Sequence, residues 1–332
     1  DLQMKAIVWT KYGSPEGLRL QEIEKPVPKD DEILVKIHAA GVTAGDCEMR
    51  RLQLPLGLSL PMRVYAGLFK PKRIPILGQE LAGEVVDVGN NVNTFIKGDQ
   101  VFGTTGFSFG AYAEYISLPA EPGDAEGVLV AKPTTITYEE AATVPTAGFE
   151  ALHFLRESNI QHGDKVLIIG GGGSIGTFAI QLGNYFGAEV TGVDSAEKQE
   201  MMRSLGADQV IDFEKTDYTK TTEKYDLIID VFGKHSISRR IKLLKPGGTY
   251  YLAYAKPAHL LLTWWTSLAR KNKLKIQSAS QNKEHLEFLA NLLDARELIS
   301  VIERKFSLEN TADAHRYVEE GAKKGNIAIT VF

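Results

Sequence analysis

The sequence predicts an α/β chain of two parts, a barrel-like β domain and a doubly wound parallel sheet. Three observations carry that expectation. The chain has 332 residues, roughly twice the ~100–150 of one compact domain. Its first part consists of short alternating segments broken by glycine and proline. From Lys165 onward, apolar runs of strand length alternate with segments of helical period, which is the grammar of a parallel sheet with crossover helices. Composition removes other classes. Hydrophobic residues at 43% and charged residues at 24% are ordinary for a globular chain. A net charge of −4 leaves no electrostatic footprint for nucleic acid, and no apolar run approaches the ~20 residues of a membrane span. One cysteine, Cys47, excludes an internal disulfide and a multi-cysteine zinc cage. A lone thiol fits a reducing, cytoplasmic setting.

Met4-Lys5-Ala6-Ile7-Val8 reads as a first strand, so no leader segment is expected. Ile33–Ala39 follows, with Val35 and Ile37 alternating against Lys36 and His38, the period of a half-buried strand. Leu81–Gly89, Val101–Gly103 and Gly110–Ile116 are further strands, separated by turns at Asn90-Asn91 and Lys97-Gly98-Asp99. Short strands at this spacing suggest a barrel. Near Lys132-Pro133 the pattern changes, and Tyr138–Ala142 opens helical segments. Then come strand Val166–Ile169, helix Ser174–Phe186, strand Glu189–Val193, helix Glu197–Leu205, strands Val210–Ile211 and Leu227–Val231, helix Ser236–Leu244 and strand Gly248–Ala253. A helix at Lys283–Leu293 and a strand at Ile327–Val331 end the chain, the strand rejoining the first domain.

Of 31 glycines, four are consecutive at Gly170–Gly173. They follow Lys165-Val166-Leu167-Ile168-Ile169, a run expected of a strand buried on both faces. Gly171-x-Gly173-x-x-Gly176 fits the dinucleotide fingerprint, and Asp194 ends the second strand about 20 residues on. Glycine is needed there for the tight turn, for approach to a pyrophosphate and for helix–sheet contact. The N–H groups and positive dipole end of the next helix then face an anion. Asp194 suits the ribose hydroxyls of NAD, whereas Lys198, four residues later, suits a 2′-phosphate. NADH and NADPH therefore both stay open, and Lys198 also reads as a solvated helix charge.

The chain resembles the medium-chain dehydrogenase/reductase superfamily, in its zinc-less quinone oxidoreductase branch. Ala40–Thr43, Gly78–Val85, Gly98–Gly103, Gly110–Tyr115, Gly170–Gly176, Ser204–Asp212 and Leu244–Gly248 carry the resemblance, in that order. It implies a GroES-like β-barrel catalytic domain (residues 1–131), a Rossmann NAD(P)-binding domain (132–272) and a tail (273–332). In the tail, Lys273–Ser280 would be the edge strand of the Rossmann sheet, through which family members pair as dimers or tetramers. The rest of the tail would return to the catalytic domain, with a cofactor cleft between the domains.

Metal-dependent relatives carry a zinc-ligating cysteine and histidine where this sequence has Thr43 and Gln79. Cys47 and Glu80 remain, but they do not make up three suitable ligands, so no metal is expected. Chemistry then falls to hydride geometry and hydrogen bonds, which suits quinones and α,β-unsaturated carbonyls because charge arriving at a conjugated oxygen is delocalised.

Thr43 is the first candidate for a hydroxyl donor, although a residue closing a strand explains it equally. Asp46 falls in the same loop, where an exposed helix cap is the alternative reading. Tyr65, in the segment Leu52–Pro75, is a candidate proton donor. Related reductases often carry a tyrosine where this chain has Glu48.

By the same resemblance, Thr146 would contact the nicotinamide, and Ser174 and Ile175 the pyrophosphate. Asp194, Lys198 and Phe213 would surround the adenosine ribose. Phe232, Gly233, Ala253 and Tyr254 would flank the cofactor, and Asn326 would close over it. Leu260–Leu262 with Trp264, Trp265 and Leu268 form an apolar stretch that suits either a substrate entrance or an oligomer interface. Two alternatives stay open, an alcohol/aldehyde dehydrogenase on the same scaffold and a catalytically silent NAD(P)H-binding sensor or structural protein.

Overall fold

The computed structural model describes residues 2–54, 57–232, 236–254, 259, 263, 273–276 and 279–332. The first strands are β1 (Gln3–Trp9), β2 (Leu18–Glu24), β3 (Glu32–Val42), β4 (Glu80–Val88), β5 (Gln100–Thr104), β6 (Tyr115–Pro119) and β7 (Val128–Ala131). Helices α1 (Ala44–Arg51) and α2 (Ser59–Ala66) lie between β3 and β4, and α3 (Tyr138–Ala142) and α4 (Pro145–Glu157) follow β7. Next come β8 (Lys165–Ile169), α5 (Ser174–Tyr185), β9 (Glu189–Asp194), α6 (Gln199–Ser204), β10 (Gln209–Asp212) and β11 (Tyr225–Asp230). The chain continues with α7 (Ile237–Arg240), β12 (Leu244–Leu252), β13 (Lys273–Lys275), α8 (Lys283–Asp294), β14 (Ile302–Ser307), α9 (Thr311–Glu319) and β15 (Asn326–Thr330).

These elements form two compact units. The first takes the chain up to Leu54, Leu58–Thr146 and Gln281–Phe332, and the second takes Gly57 and Ala147–Ser280. The first therefore runs past the expected boundary at residue 131. The physical reason is that β7 leads into α3, which packs on β3 and β4. A capping box holds the start of α3: Thr137 Oγ accepts from Glu140 N, and Glu140 returns a carboxylate to Thr137 N.

The first unit is the GroES-like domain. Its main sheet has seven strands on one path or its branch, with β3 at the hub. Ile33, Val35 and Ile37 of β3 are fully buried while Lys36 and His38 are only partly so, as the alternation predicts. β15 returns to pair antiparallel with β3, Ile329 opposite Ala40. The expected strand at Gly110–Ile116 starts only at Tyr115. Gly110 has φ +98°, and Ala111 and Tyr112 donate their N–H groups to Gly78 and Leu77 carbonyls instead.

The second unit is a six-stranded sheet in the order β10-β9-β8-β11-β12-β13. Every pairing in it is parallel. Counted from β8, this is the doubly wound order 3-2-1-4-5-6, whose switch point lies between β8 and β11. β13 is its edge strand. The expected helices at Glu197–Leu205 and Ser236–Leu244 each break into a 3-10 turn and a short α-helix. Among the described residues, no helix is long and apolar enough to cross a membrane. Gly233 and the apolar stretch Leu260–Leu262, Trp264, Trp265 and Leu268 lie outside the described residues.

At its first turn α5 meets the end of β8 with no side chain between them. A Cβ at Gly176 would stand 2.2 Å from Gly170 O and 2.6 Å from Gly171 Cα, both rigid backbone. Gly176→Ala is expected to lift α5 off β8 and to cost about 3 kcal/mol, read as a lowered midpoint in chemical unfolding.

Candidate functional site

The sequence-predicted residues fall into two groups, one in each unit. In the second unit the group gathers at the carboxyl end of β8. Gly170 has φ +91°, a left-handed turn in which glycine is the natural residue, and a Cβ there would press on Val231 and Phe232 at 3.3 Å. The turn therefore sits against the end of β11, at the switch point. Gly170 and Gly171 donate their N–H groups to Val193 O. At Gly173 a Cβ would meet nothing closer than Gly170 O at 3.7 Å, so the cradle is open there. α5 begins at Ser174, and the N–H groups of Ser174, Ile175 and Gly176 point out of its N-terminus.

Asp194 is 4% exposed and its carboxylate is engaged on both oxygens. Oδ2 accepts from Gly172 N at 2.9 Å. Oδ1 accepts from Ser195 N at 2.8 Å and pairs with Lys198 Nζ at 3.4 Å. Lys198 is likewise buried, at 6% exposure, which corrects its reading as a solvated charge. Its aliphatic stem lies over Gly172, where a Cβ would meet Lys198 Cδ at 2.4 Å. The two residues that argued for different nicotinamides thus form one ion pair across the glycine turn. Phe213 and Phe232 pack at a ring-centroid distance of 5.2 Å. Tyr254 donates to Asp230 Oδ2 at 3.2 Å and accepts from Arg240 Nη1 at 2.9 Å, while Ala253 is exposed.

In the first unit, Thr43 caps α1 in a closed ring with Asp46. Thr43 Oγ accepts from Asp46 N at 3.1 Å and donates to Asp46 Oδ2 at 3.0 Å, and Thr43 N donates to the same oxygen at 3.0 Å. Asp46 is fully buried, which corrects the reading of an exposed cap. Burial pushes its carboxyl up to about 6, against the lowering effect of the Thr43 bonds. Gln79 stands on the other side of Gly45, whose Cβ would lie 3.5 Å from Thr43 Oγ and 3.9 Å from Gln79 Oε1. Tyr65 lies apart on α2, 44% exposed, with the Arg73 guanidinium 4.4 Å from its ring centre.

Thr146 N donates to Glu80 Oε2 at 3.0 Å, and Thr146 Oγ is buried with no partner. Asn326 holds Ser300 Oγ and Val301 O at 3.1 and 3.2 Å. A cleft of about 960 Å³ in this unit, lined by Gln100, Lys132 and Gln281 among others, contains none of these residues.

Behind Asp46 is a buried network that no local sequence signal shows. Arg50 Nη1 and His315 Nδ1 are 2.9 Å apart. Burial, then the charges of Arg50 and Arg51, hold the His315 ring down at about 3, so it is neutral. Arginine only donates. His315 Nδ1 is therefore the acceptor, and its proton sits on Nε2, 3.1 Å from the Tyr112 hydroxyl. The Tyr112 hydroxyl also favours the charged form of the Asp46 carboxyl, lowering its pKa against the effect of burial. Cys47 Sγ is 3.5 Å from His315 Nδ1, and burial pushes its thiol up to about 12. Partners 268 residues apart in sequence are joined only by folding.

These donors were tested against the groups the fold family implies. For a dinucleotide the second unit fits, with an open glycine cradle at Gly173 and the N-terminus of α5. For a catalytic zinc the first unit does not fit: Thr43 and Gln79 offer neutral oxygens rather than the thiolate, imidazole or carboxylate that zinc takes. Among the described residues, no group of three His, Cys, Asp or Glu could hold a metal ion.

Comparison with known proteins follows the same outline. Residues 29–123 match the alcohol dehydrogenase GroES-like domain, and residues 205–329 match a family described as zinc-binding dehydrogenase. The chain is 30% identical to the 2-methylene-furan-3-one reductase of Solanum lycopersicum, over 98% of this chain and 79% of that one. It is 28% identical to the chloroplastic NADPH-dependent alkenal/one oxidoreductase of Arabidopsis thaliana, with coverage of 98% and 79%. Among solved structures, the quinone oxidoreductase of Coxiella burnetii superposes with a TM-score of 0.86 at 28% identity, covering 99% of this chain and 100% of that one.

Glu80 gives the first unit a pH signature. Burial raises its carboxyl to about 8, and the Asp46 charge adds to the rise. Its pKa when unfolded is near 4.5, so the native state holds a proton that the unfolded chain gives up. Stability is therefore lost as pH rises from about 4.5 through 8. Glu80→Gln, which keeps an acceptor for Thr146 N, is expected to match the native protein at pH ~5 and exceed it by on the order of 2 kcal/mol at pH ~8.5, measured by thermal unfolding at both pH values.

Proposed function

The chain belongs to the medium-chain dehydrogenase/reductase superfamily, in its quinone oxidoreductase-like branch, and from that premise we propose that it is an NAD(P)H-dependent reductase of quinones and α,β-unsaturated carbonyls that needs no zinc. The observation that carries the reading is the Thr43–Asp46 ring: a hydroxyl backed by a buried carboxyl titrating near 6, at the position where metal-dependent relatives carry a cysteine. The printed names of the relatives, an enone reductase and an NADPH-dependent alkenal/one oxidoreductase, support the same substrate class.

The nicotinamide, when bound, supplies a hydride. The protein's own part is binding, orientation and the proton. The cradle from Gly171 to Gly176, with the start of α5, binds the pyrophosphate. Lys198 gives the adenosine end a cation and Asp194 holds both it and the turn, which favours NADPH without excluding NADH. Phe213, Phe232, Ala253 and Tyr254 border the nucleotide, and Thr146 and Asn326 serve the nicotinamide side.

When Asp46 is ionised, the single Thr43 proton is committed to Oδ2. When Asp46 is protonated, its own proton turns to Thr43 Oγ, and the Thr43 proton is released toward a substrate oxygen. Hydride and proton together complete a two-electron reduction. Tyr65, exposed on α2, is the second candidate donor. Self-association through the open edge of β13 and a cytoplasmic setting, consistent with one buried thiol, complete the proposal.

The deciding experiment is NADPH and NADH oxidation measured side by side against quinones, enones and aldehydes, with and without chelator. Turnover of quinones or enones that survives EDTA is expected; turnover confined to aldehydes, or abolished by EDTA, overturns the reading. The proton route has its own test. kcat is expected to fall as pH rises through about 6, and Asp46→Asn to flatten that limb and lower kcat by about 10²-fold. An unchanged limb in the variant removes Asp46 from the route.

A further inference from the structure

Apart from Tyr65, the segment between α1 and β4 carries exposed side chains to which the proposed reaction gives no role. From Met49 to Gln79 the sequence has six cations (Arg50, Arg51, Arg63, Lys70, Lys72 and Arg73) and no Asp or Glu, in a chain of net charge −4. Arg50 and Arg51 pair with Glu319. No ion pair of the other four is found among the described residues. Interleaved with them are Leu58, Leu60, Val64, Leu68 and Phe69, exposed by 51%, 69%, 62%, 57% and 92%. Leu60 and Val64 are one turn apart on α2, and Phe69 stands at the tip of the turn that follows.

That tip is held in place rather than loose. Ala66 is fully buried, and its carbonyl accepts from Lys72 N and Arg73 N at 2.9 and 3.1 Å. Tyr12 donates to Gly67 O at 2.6 Å, and Arg63 Nε donates to Leu68 O at 2.8 Å. Gly67 has φ +141°, and a Cβ there would stand 2.2 Å from Lys70 O, so the turn is as tight as glycine allows. The fold thus fixes apolar side chains outward beside cations that make no ion pair among the described residues. Clustered exposed apolar side chains of this kind mark a docking site.

We propose that residues 57–73 are a peripheral docking surface for a bilayer bearing anionic phospholipid. Charge complementarity selects that occupant. The apolar tip suits the acyl boundary, the flanking Lys and Arg suit the phosphate layer, and the acid-free stretch avoids repulsion from it. The net negative remainder of the protein disfavours adhesion anywhere else on the same membrane. A surface reductase placed there meets lipophilic substrates where they dissolve, although the binding itself does not rest on the enzymatic reading.

The test is co-sedimentation of the full chain with phosphatidylcholine vesicles with and without phosphatidylglycerol. Binding is expected only with the anionic lipid and is expected to weaken in high salt. Phe69→Asp with Leu60→Asp, and separately Lys70→Glu with Lys72→Glu, should each weaken it by at least about tenfold. All four side chains are exposed, so the thermal unfolding midpoint should not change. The proposal is overturned by wild-type protein that stays in the supernatant, by equal binding to neutral vesicles, or by variants that sediment like wild type. It is equally overturned if light scattering shows Phe69→Asp splitting a dimer that never binds vesicles, since a second copy is then the occupant.

Discussion

The contact of Gly176 with the backbone of Gly170 and Gly171 is the constraint from which the second unit is built. With no side chain between them, α5 seats directly on the end of β8, and its N-terminus comes up beside the switch point of the sheet. The Asp194 carboxylate then closes the turn by taking Gly172 N, and Lys198 is drawn over the same glycine. Each of these placements depends on the first. A helix displaced by the width of a methyl group would leave Asp194 without its amide and pull open the glycine turn.

In the first unit the organising feature is electrical. Asp46 and Glu80 are both out of water and both held well above the usual carboxylate range by burial, and the Asp46 charge adds to the cost of ionising Glu80. Such groups cost stability at neutral pH. Tyr112, neutral His315 and Arg50 form a hydrogen-bonded network of their own beside α1, while Asp46 keeps Thr43 as its hydrogen-bond partner.

Much of the second unit was legible in the sequence because its signals are local. The strand, the glycines, the amphipathic helix and Asp194 follow one another within 30 residues, and the parallel order follows from their alternation. What the sequence misjudged was solvent exposure. Lys198 and Asp46 look like surface charges from composition, yet each is buried by a partner within four residues, and the pairing rather than the residue type decides it. The network of Cys47, Arg50, Tyr112 and His315 was illegible for a different reason. Its members come from α1, the segment before β6 and α9, and only the return of the tail through β15 brings them together. The apolar tip at Phe69 gave no periodic signal, because it is a turn and not an element.

The burial of Cys47 has a practical corollary. It is the chain's single thiol, 2% exposed, packed against His315 from the far end of the sequence and held un-ionised. A disulfide reagent added to the folded protein has nothing to attack until α1 and α9 separate. The rate of labelling therefore clocks the opening of the first unit alone, with no engineered probe and no signal from the second.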